Sequence, residues 1–134
     1  MAKRRVKVEF EADDGRVLRY VRHGSGGGLV AQAARVADEA TVAPTAYVEA
    51  GAFVAPGCRV GAHSWIEDDA VLGAGVVVAD DVRIGPRTRV GDGARVGSRA
   101  RLGADVVVEP GAQVGPDETV PDRTVVARRR RLAA

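Results

Sequence analysis

Aliphatic residues recur along this chain at every sixth position. From Val30 to Val126, seventeen consecutive positions spaced by six hold Val, Ile or Leu, without one interruption. An amphipathic helix cannot keep this spacing, because six residues at about 100° each rotate the apolar stripe away from one face. A period of six fits a short strand followed by a turn. The pattern therefore predicts a solenoid built from strands.

The position two residues before each aliphatic residue carries a small side chain in nearly every unit, with Glu118 as the exception near the C-terminal end. Residues two apart on a strand share a face, so each unit points one small and one branched side chain inward. The residues that follow are rich in Gly, Pro and Asp, as turns require. Three strands per turn give triangular coils of 18 residues, and seventeen units predict five to six coils.

The segment before the repeat has a different pattern. Charged and apolar residues alternate on both sides of the turn signal Asp14-Gly15, which predicts a β-hairpin that covers the N-terminal end of the solenoid. A Gly-rich stretch then predicts a flexible connector, in which we expect His23 to be solvated. The chain thus divides into three segments: the hairpin and connector (1–29), the repeat (30–126) and an Arg-rich C-terminal tail (127–134).

The repeat unit resembles that of the bacterial hexapeptide-repeat family, which reads aliphatic, Gly/Ala/Glu/Asp, two variable residues, small, variable. Two of the units that match well are Val60-Gly61-Ala62-His63-Ser64-Trp65 and Ile84-Gly85-Pro86-Arg87-Thr88-Arg89. The resemblance covers residues 30–126 and implies an all-β fold, a left-handed parallel β-helix. The left hand rests on the resemblance alone, because ordinary parallel crossovers are right-handed. The family also implies a homotrimer assembled side by side.

Residues 18 apart stack in such a fold, so outward columns can be read from the sequence. The most apolar column, which we interpret as the trimer face, is Phe53, Val71, Arg89, Val107 and Val125. Scattered surface valines on strands are the alternative reading of the same column. In a neighbouring column Trp65 lies above Arg83, which predicts a cation–π pair. Two columns of turn residues carry further predictions. Positive φ is expected at the stacked glycines Gly57, Gly75, Gly93 and Gly111. Alternating charges that hold neighbouring coils in register are expected at Asp69, Arg87, Asp105 and Arg123.

A histidine is the candidate catalytic group, because the resemblance implies an acyltransferase in which a histidine deprotonates the acceptor before it attacks an acyl thioester. His63 lies in a turn of the repeat, and Asp81 follows one coil later at the same corner, where it is placed to orient the ring. A turn that favours left-handed geometry also accepts His without any catalytic role. The candidates for binding the phosphates of coenzyme A are Arg83, Arg99 and Arg101. Coenzyme A is expected as a co-substrate and not as a permanently bound cofactor.

Composition and charge narrow the remaining classes. The chain has 134 residues, of which 46% are hydrophobic and 4% aromatic. No apolar run approaches the roughly 18 residues of a membrane span, and the N-terminal residues lack the pattern of a signal peptide. These features predict a cytoplasmic protein without a membrane partner. The single cysteine, Cys58, stands at an inward small position and is expected to be a buried space-filler. One histidine within the repeat is too few for the three-His zinc site of the γ-class carbonic anhydrases, so no metal is expected.

Two functions stay open at this point. No stacking aromatics accompany the arginines, including the run 128–131, which argues against nucleic acid. Residues 30–82 hold 2 Lys+Arg against 8 Asp+Glu, whereas residues 83–134 hold 11 against 6, so an acidic upper part and a basic lower end suit head-to-tail association. No insertion interrupts the units and no long C-terminal helix follows. The chain is therefore either a coenzyme-A-dependent O- or N-acyltransferase or a non-catalytic scaffold that trimerises or stacks.

Overall fold

The structure is a computed structural model that describes residues 7–11 and 14–129. Within these ranges all regular structure is strand, in nineteen strands that we number β1 to β19 in chain order. No helix in the described part of the chain is long and apolar enough to cross a membrane. The tail residues 130–134, and with them half of the predicted arginine run, lie outside the described residues.

The strands form three sheets, one for each face of a triangular solenoid. Sheet A contains, in spatial order, β1 (Lys7–Glu11), β2 (Val17–Arg22), β3 (Leu29–Ala31), β6 (Tyr47–Val48), β9 (Trp65–Ile66), β12 (Arg83–Ile84), β15 (Arg101–Leu102) and β18 (Thr119–Val120). Sheet B contains β4 (Arg35–Val36), β7 (Phe53–Val54), β10 (Val71–Leu72), β13 (Arg89–Val90), β16 (Val107–Val108) and β19 (Val125–Val126). Sheet C contains β5 (Thr41–Val42), β8 (Arg59–Val60), β11 (Val77–Val78), β14 (Arg95–Val96) and β17 (Gln113–Val114).

Parallel pairing between coils follows one register throughout the repeat. Leu72 pairs with Val54 in the coil before and with Val90 in the coil after, each 18 residues away. Each coil therefore contributes one strand to each sheet, of two residues from β4 onward, as the six-residue period predicts. The predicted all-β, left-handed parallel β-helix is confirmed.

The interior is filled by the periodic side chains. Sixteen of the seventeen aliphatic positions are buried, and Val36 is half-buried because it lies on the first strand of sheet B. Two polar residues at small inward positions satisfy their hydroxyls on neighbouring backbone. Ser64 Oγ donates to the Ala79 carbonyl at 2.6 Å, and Thr88 Oγ1 donates to the Gly103 carbonyl at 2.7 Å. The predicted inward pattern is therefore confirmed.

The corners of the coils share one backbone conformation. From Val48 to Val120, the third residue after each aliphatic position has positive φ, and the four glycines of the predicted corner column have φ between 68° and 80°. Eight of the thirteen such positions are not glycine: His63, Asp69, Asp81, Arg87, Arg99, Asp105, Asp117 and Arg123. Asp tolerates this region better than most residues do, whereas Arg needs the surrounding coil to hold it there.

The N-terminal hairpin extends sheet A instead of lying across the end of the solenoid. β1 and β2 pair antiparallel, with Gly15 at φ 84° in the turn, and β2 pairs antiparallel with β3. The predicted hairpin is thus confirmed, but it covers the first repeat strand of only one of the three sheets. Tyr20 packs in a small buried cluster with Leu29 and Ala31.

The prediction that His23 is solvated is wrong. Its side chain is 4% exposed, and Nε2 lies 2.8 Å from the Ala40 carbonyl. The connector continues across the edge of β5, where the Gly28 N–H donates to the Val42 carbonyl at 3.0 Å and the Val42 N–H donates to the Ser25 carbonyl at 3.1 Å. The histidine is buried because the first strand of sheet C needs hydrogen-bonding partners that no preceding coil supplies.

Candidate functional site

His63 and Asp81 lie at the same corner, one coil apart, between sheet C and sheet A. Both have positive φ, 60° and 58°, and both are exposed. The His63 N–H donates to Thr45 Oγ1 at 3.0 Å, and the Asp81 N–H donates to the Ala62 carbonyl at 2.9 Å, so the backbone of each is held by the preceding coil. In the described part of the chain, no hydrogen bond joins the imidazole to the carboxylate.

The candidate arginines of sheet A adjoin this corner. Arg83 pairs in register with Trp65 above it and with Arg101 below it. Its guanidinium lies 5.0 Å from the centroid of the Trp65 ring, so the predicted cation–π pair is present. Arg101 Nη1 donates to the Asp81 carbonyl, which ties this column to the corner that carries His63.

Two of the three candidate arginines already hold carboxylates. Arg83 makes two hydrogen bonds to Glu67, of 2.9 and 3.0 Å, and this carboxylate raises the pKa of Arg83 above its ordinary value. Arg99 makes two hydrogen bonds to Asp117, of 2.7 and 3.1 Å, and in return lowers the pKa of Asp117. Both guanidinium groups are solvent-exposed, so the net stabilisation from each pair is small.

A junction at Glu49 was missed by the sequence analysis. Glu49 Oε1 accepts a 2.5 Å hydrogen bond from the Tyr20 hydroxyl, and Oε2 accepts one of 2.7 Å from Trp65 Nε1. Burial, and then the Glu49 carboxylate, raise the pKa of Tyr20 well above its usual range. Tyr20 also meets Tyr47 edge to face, with ring centroids 6.0 Å apart. Glu49 and Glu67 are 18 residues apart and therefore stack in one outward column. This spacing is the sequence signal that would have placed both carboxylates beside Trp65 and Arg83.

The apolar column on sheet B is exposed in the single chain. Phe53 is 44% exposed, Val107 41% and Val125 61%, while Val71 is half-buried and Arg89 exposed. A column in which four of five outward residues are hydrophobic suits association with another protein surface. The homotrimer stays a prediction.

Cys58 and metal ligands complete the candidate groups. Cys58 is 1% exposed, and its Sγ donates to the Gly73 carbonyl at 2.9 Å, so the predicted buried space-filler is confirmed. Burial raises the pKa of the thiol. Among the described residues, no three His, Cys, Asp or Glu side chains gather in a way that would hold a metal ion.

Comparison with known families identifies the repeat. Residues 63–98 match the family described as bacterial transferase hexapeptide (six repeats). The resemblance seen in the sequence is thereby confirmed for this segment of the repeat. None of the curated proteins matches the chain significantly.

Several solved structures are similar to parts of the chain. The acetyltransferase domain of PglB from Neisseria gonorrhoeae FA1090, in complex with acetyl coenzyme A, is 24% identical over 74% of this chain and 53% of its own, with a TM-score of 0.44. A mutant GDP-perosamine N-acetyl transferase from Caulobacter crescentus, in complex with CoA and GDP-perosamine, is 30% identical over 70% of this chain and 52% of its own, with a TM-score of 0.42. The chain therefore spans about half the length of these two proteins.

Proposed function

We propose that this chain is a coenzyme-A-dependent O- or N-acyltransferase that acts on the β-helix surface, at the edge between sheets C and A. One observation carries the proposal. The exposed imidazole of the repeat, His63, lies within the segment that matches the transferase family, one coil above Asp81 and beside the arginine column of sheet A. A base, an orienting carboxylate and phosphate-binding cations are the groups that acyl transfer from a thioester requires.

In the proposed reaction His63 takes the proton of the acceptor hydroxyl or amine as that group attacks the thioester carbonyl. The tetrahedral intermediate then expels the thiolate of coenzyme A, and the imidazolium of His63 returns the proton to it. Asp81 is assigned the role of orienting the imidazole from the coil below, which requires the two side chains to turn into a hydrogen bond that the described structure does not contain. Arg83, Arg99 and Arg101 bind phosphates of the co-substrate, exchanging exposed carboxylate or carbonyl partners for a phosphate of higher charge.

Ligand-induced stabilisation tests the proposal. Coenzyme A and acetyl-CoA at millimolar concentration are expected to raise the Tm, because a ligand that binds only the folded state stabilises it. Arg101→Gln should reduce this shift, whereas Arg95→Gln, an exposed strand arginine on sheet C, should not. His63→Ala should abolish turnover while leaving the shift intact. No shift at millimolar ligand would contradict the proposal.

We infer further that three copies associate side by side through the apolar column of sheet B. Phe53→Asp combined with Val71→Asp places two charges on that face and should reduce the mass measured by sedimentation equilibrium to that of one chain. Arg95→Asp, on sheet C, is the control and should leave the mass unchanged. An oligomer that survives the double substitution would refute this choice of face.

A non-catalytic scaffold is the second candidate, and the uninterrupted repeat favours it. From β4 to β19 every connection between consecutive strands has four residues, so no loop builds a pocket over His63. Cavities of about 390 and 420 Å³ lie beside the hairpin and not at His63. A scaffold predicts that His63→Ala is silent in every assay. Head-to-tail stacking would in addition require β1 and β2 to leave the end of sheet A.

A further inference from the structure

The two ends of a parallel β-helix leave different backbone groups without partners. Along this solenoid each downward N–H donates to a carbonyl 17 residues later, as from Val77 to Ala94 at 3.1 Å and from Ala79 to Val96 at 3.0 Å. The first coil therefore has carbonyls with no donor above them, and the last coil has N–H groups with no acceptor below. Unpaired strand edges are sites where another chain adds a strand.

The first strands of the repeat in sheets A and C, β3 and β5, are covered at the N-terminal end. β2 covers the edge of β3 as an antiparallel strand. On sheet C the connector covers β5: the His23 ring caps the Ala40 carbonyl, and the Gly28 N–H caps the Val42 carbonyl. β3 and β5 therefore have no free edge at this end, and the outermost edge of sheet A is that of β1.

The same two sheets are protected at the C-terminal end. On sheet A, Gly103 donates its N–H to the Val120 carbonyl one coil below. The residue that corresponds to Gly103 in the last coil is Pro121. Because proline has no N–H, no donor is left unpaired at this position. On sheet C, Glu118 Oε1 accepts the Gly115 N–H at 2.9 Å. This contact gives a reason for the one charged residue in the column of small inward positions.

Sheet B has no such cover at its N-terminal edge. Within the described structure, the carbonyls of Ala34 and Val36 accept no hydrogen bond, and β4 pairs only with β7. A cavity of about 390 Å³ opens beside this strand, and its apolar lining includes Val21, Val30 and Val54. β4 is thus a free strand edge with an apolar cavity next to it.

We propose that β4 is a docking site for one extended peptide strand of acidic and aliphatic composition. By the register of the repeat, two N–H groups of the peptide, on the residues before and after an aliphatic residue, donate to the Ala34 and Val36 carbonyls. The aliphatic side chain enters the cavity over Val36. The residue before it points outward above Arg35, which is exposed and makes no ion pair in the described structure. A carboxylate is the group that complements this guanidinium across neighbouring strands.

A second copy of the chain does not fit this edge coaxially. β1 and β2 raise sheet A by two strands, roughly 10 Å, into the space that the last coil of a stacked copy would occupy. The lower end of such a copy also carries Arg128 and Arg129, which would approach Arg35 with like charge. A single strand is what the gap beside the hairpin admits.

Fluorescence anisotropy with a synthetic peptide tests the proposal on the full chain. The probe is fluorescein-labelled Ser-Gly-Asp-Val-Thr-Gly-Ser, and the control is the same peptide N-methylated at Asp and Thr, which removes the two donated N–H groups. We expect saturable binding of the probe and at least a tenfold loss for the methylated peptide. Arg35→Glu should weaken the probe about tenfold and favour the peptide with Lys in place of Asp. Arg59→Glu, an exposed strand arginine on sheet C, should change neither.

Three results would overturn the proposal. They are no saturation at millimolar peptide, equal binding of the methylated peptide, and a sedimenting oligomer that occupies the edge and excludes the probe. Ala34→Leu partly fills the cavity, so it should also weaken the probe while the Tm is retained. Peptide docking at β4 is independent of acyl transfer, because Arg35→Glu should leave the coenzyme A thermal shift unchanged. A failure of peptide binding can therefore be distinguished from a failure of coenzyme A binding.

Discussion

Replacing His23 with Ala is expected to fray the first coil while the rest of the β-helix stays folded. The substitution removes a ring that is 4% exposed and leaves the Ala40 carbonyl without the donor now 2.8 Å away. A buried acceptor left unpaired costs about 1–3 kcal/mol. In a solenoid each coil is stabilised by its neighbours, so this cost falls on the coil next to the missing cap.

Hydrogen exchange measured by mass spectrometry reads this effect locally. A loss of about 1–3 kcal/mol corresponds to roughly 5- to 150-fold more frequent opening, so peptides from residues 24–46 should exchange faster by that factor. Peptides from residues 60–126 should not change. His23→Gln, which keeps an N–H donor, should restore part of the protection, and Gln32→Ala at a nearby exposed position should have no effect. Unchanged exchange in 24–46, or a uniform increase along the chain, would refute the capping role.

The remaining predictions concern single positions of the coils. Arg87 and Arg99 hold the pKa of Asp105 and of Asp117 below the ordinary 3.8. Both pairs therefore stabilise the fold above that pH, and this contribution is lost as the pH falls through the lowered pKa values. The double variant Asp105→Asn, Asp117→Asn should lose less Tm than the unchanged protein between about pH 5 and pH 2, and an equal loss would contradict the pairing. Cys58 should resist a thiol reagent in the native protein and react on unfolding, and rapid native labelling would contradict its burial. Gly93→Val should cost at least about 1–2 kcal/mol in guanidinium unfolding because its φ is 71°, and a neutral result would contradict this backbone account.

The coils were predictable because each inward residue is determined by its neighbours one coil away. Leu72 stacks between Val54 and Val90, and this contact repeats along the chain, so a single period sets all three sheets. The burial of Cys58 and the pairing of Trp65 with Arg83 followed from the same register and are confirmed.

The ends of the solenoid were not predictable from the period because each end occurs once. His23 stands in a Gly-rich stretch with no local pattern, and its burial depends on the Ala40 carbonyl, 17 residues later. Glu118 breaks the column of small residues, and its role depends on the Gly115 N–H of the last coil, which its carboxylate accepts. A search for polar side chains placed to meet the unpaired backbone of the first and last coils would have found both.

The candidate site was predictable as a neighbourhood and not as a set of contacts. Columns of 18 place Asp81 below His63 and Arg101 below Arg83, and the structure keeps these positions. The direction of exposed side chains depends on nearby charge instead. Arg83 turns to Glu67 for that reason, a partner that the columns alone did not single out.

One pair of substitutions on a single strand tests the central claim, that every sixth aliphatic residue fills the interior of the coils. Val77 and Val78 are the two residues of β11, the first half-buried and outward, the second 1% exposed and inward. In guanidinium unfolding, Val78→Ala should cost about 2–4 kcal/mol through lost burial and the cavity that remains, and Val77→Ala less than about 1 kcal/mol. Equal costs, or a larger cost at Val77, would contradict the account.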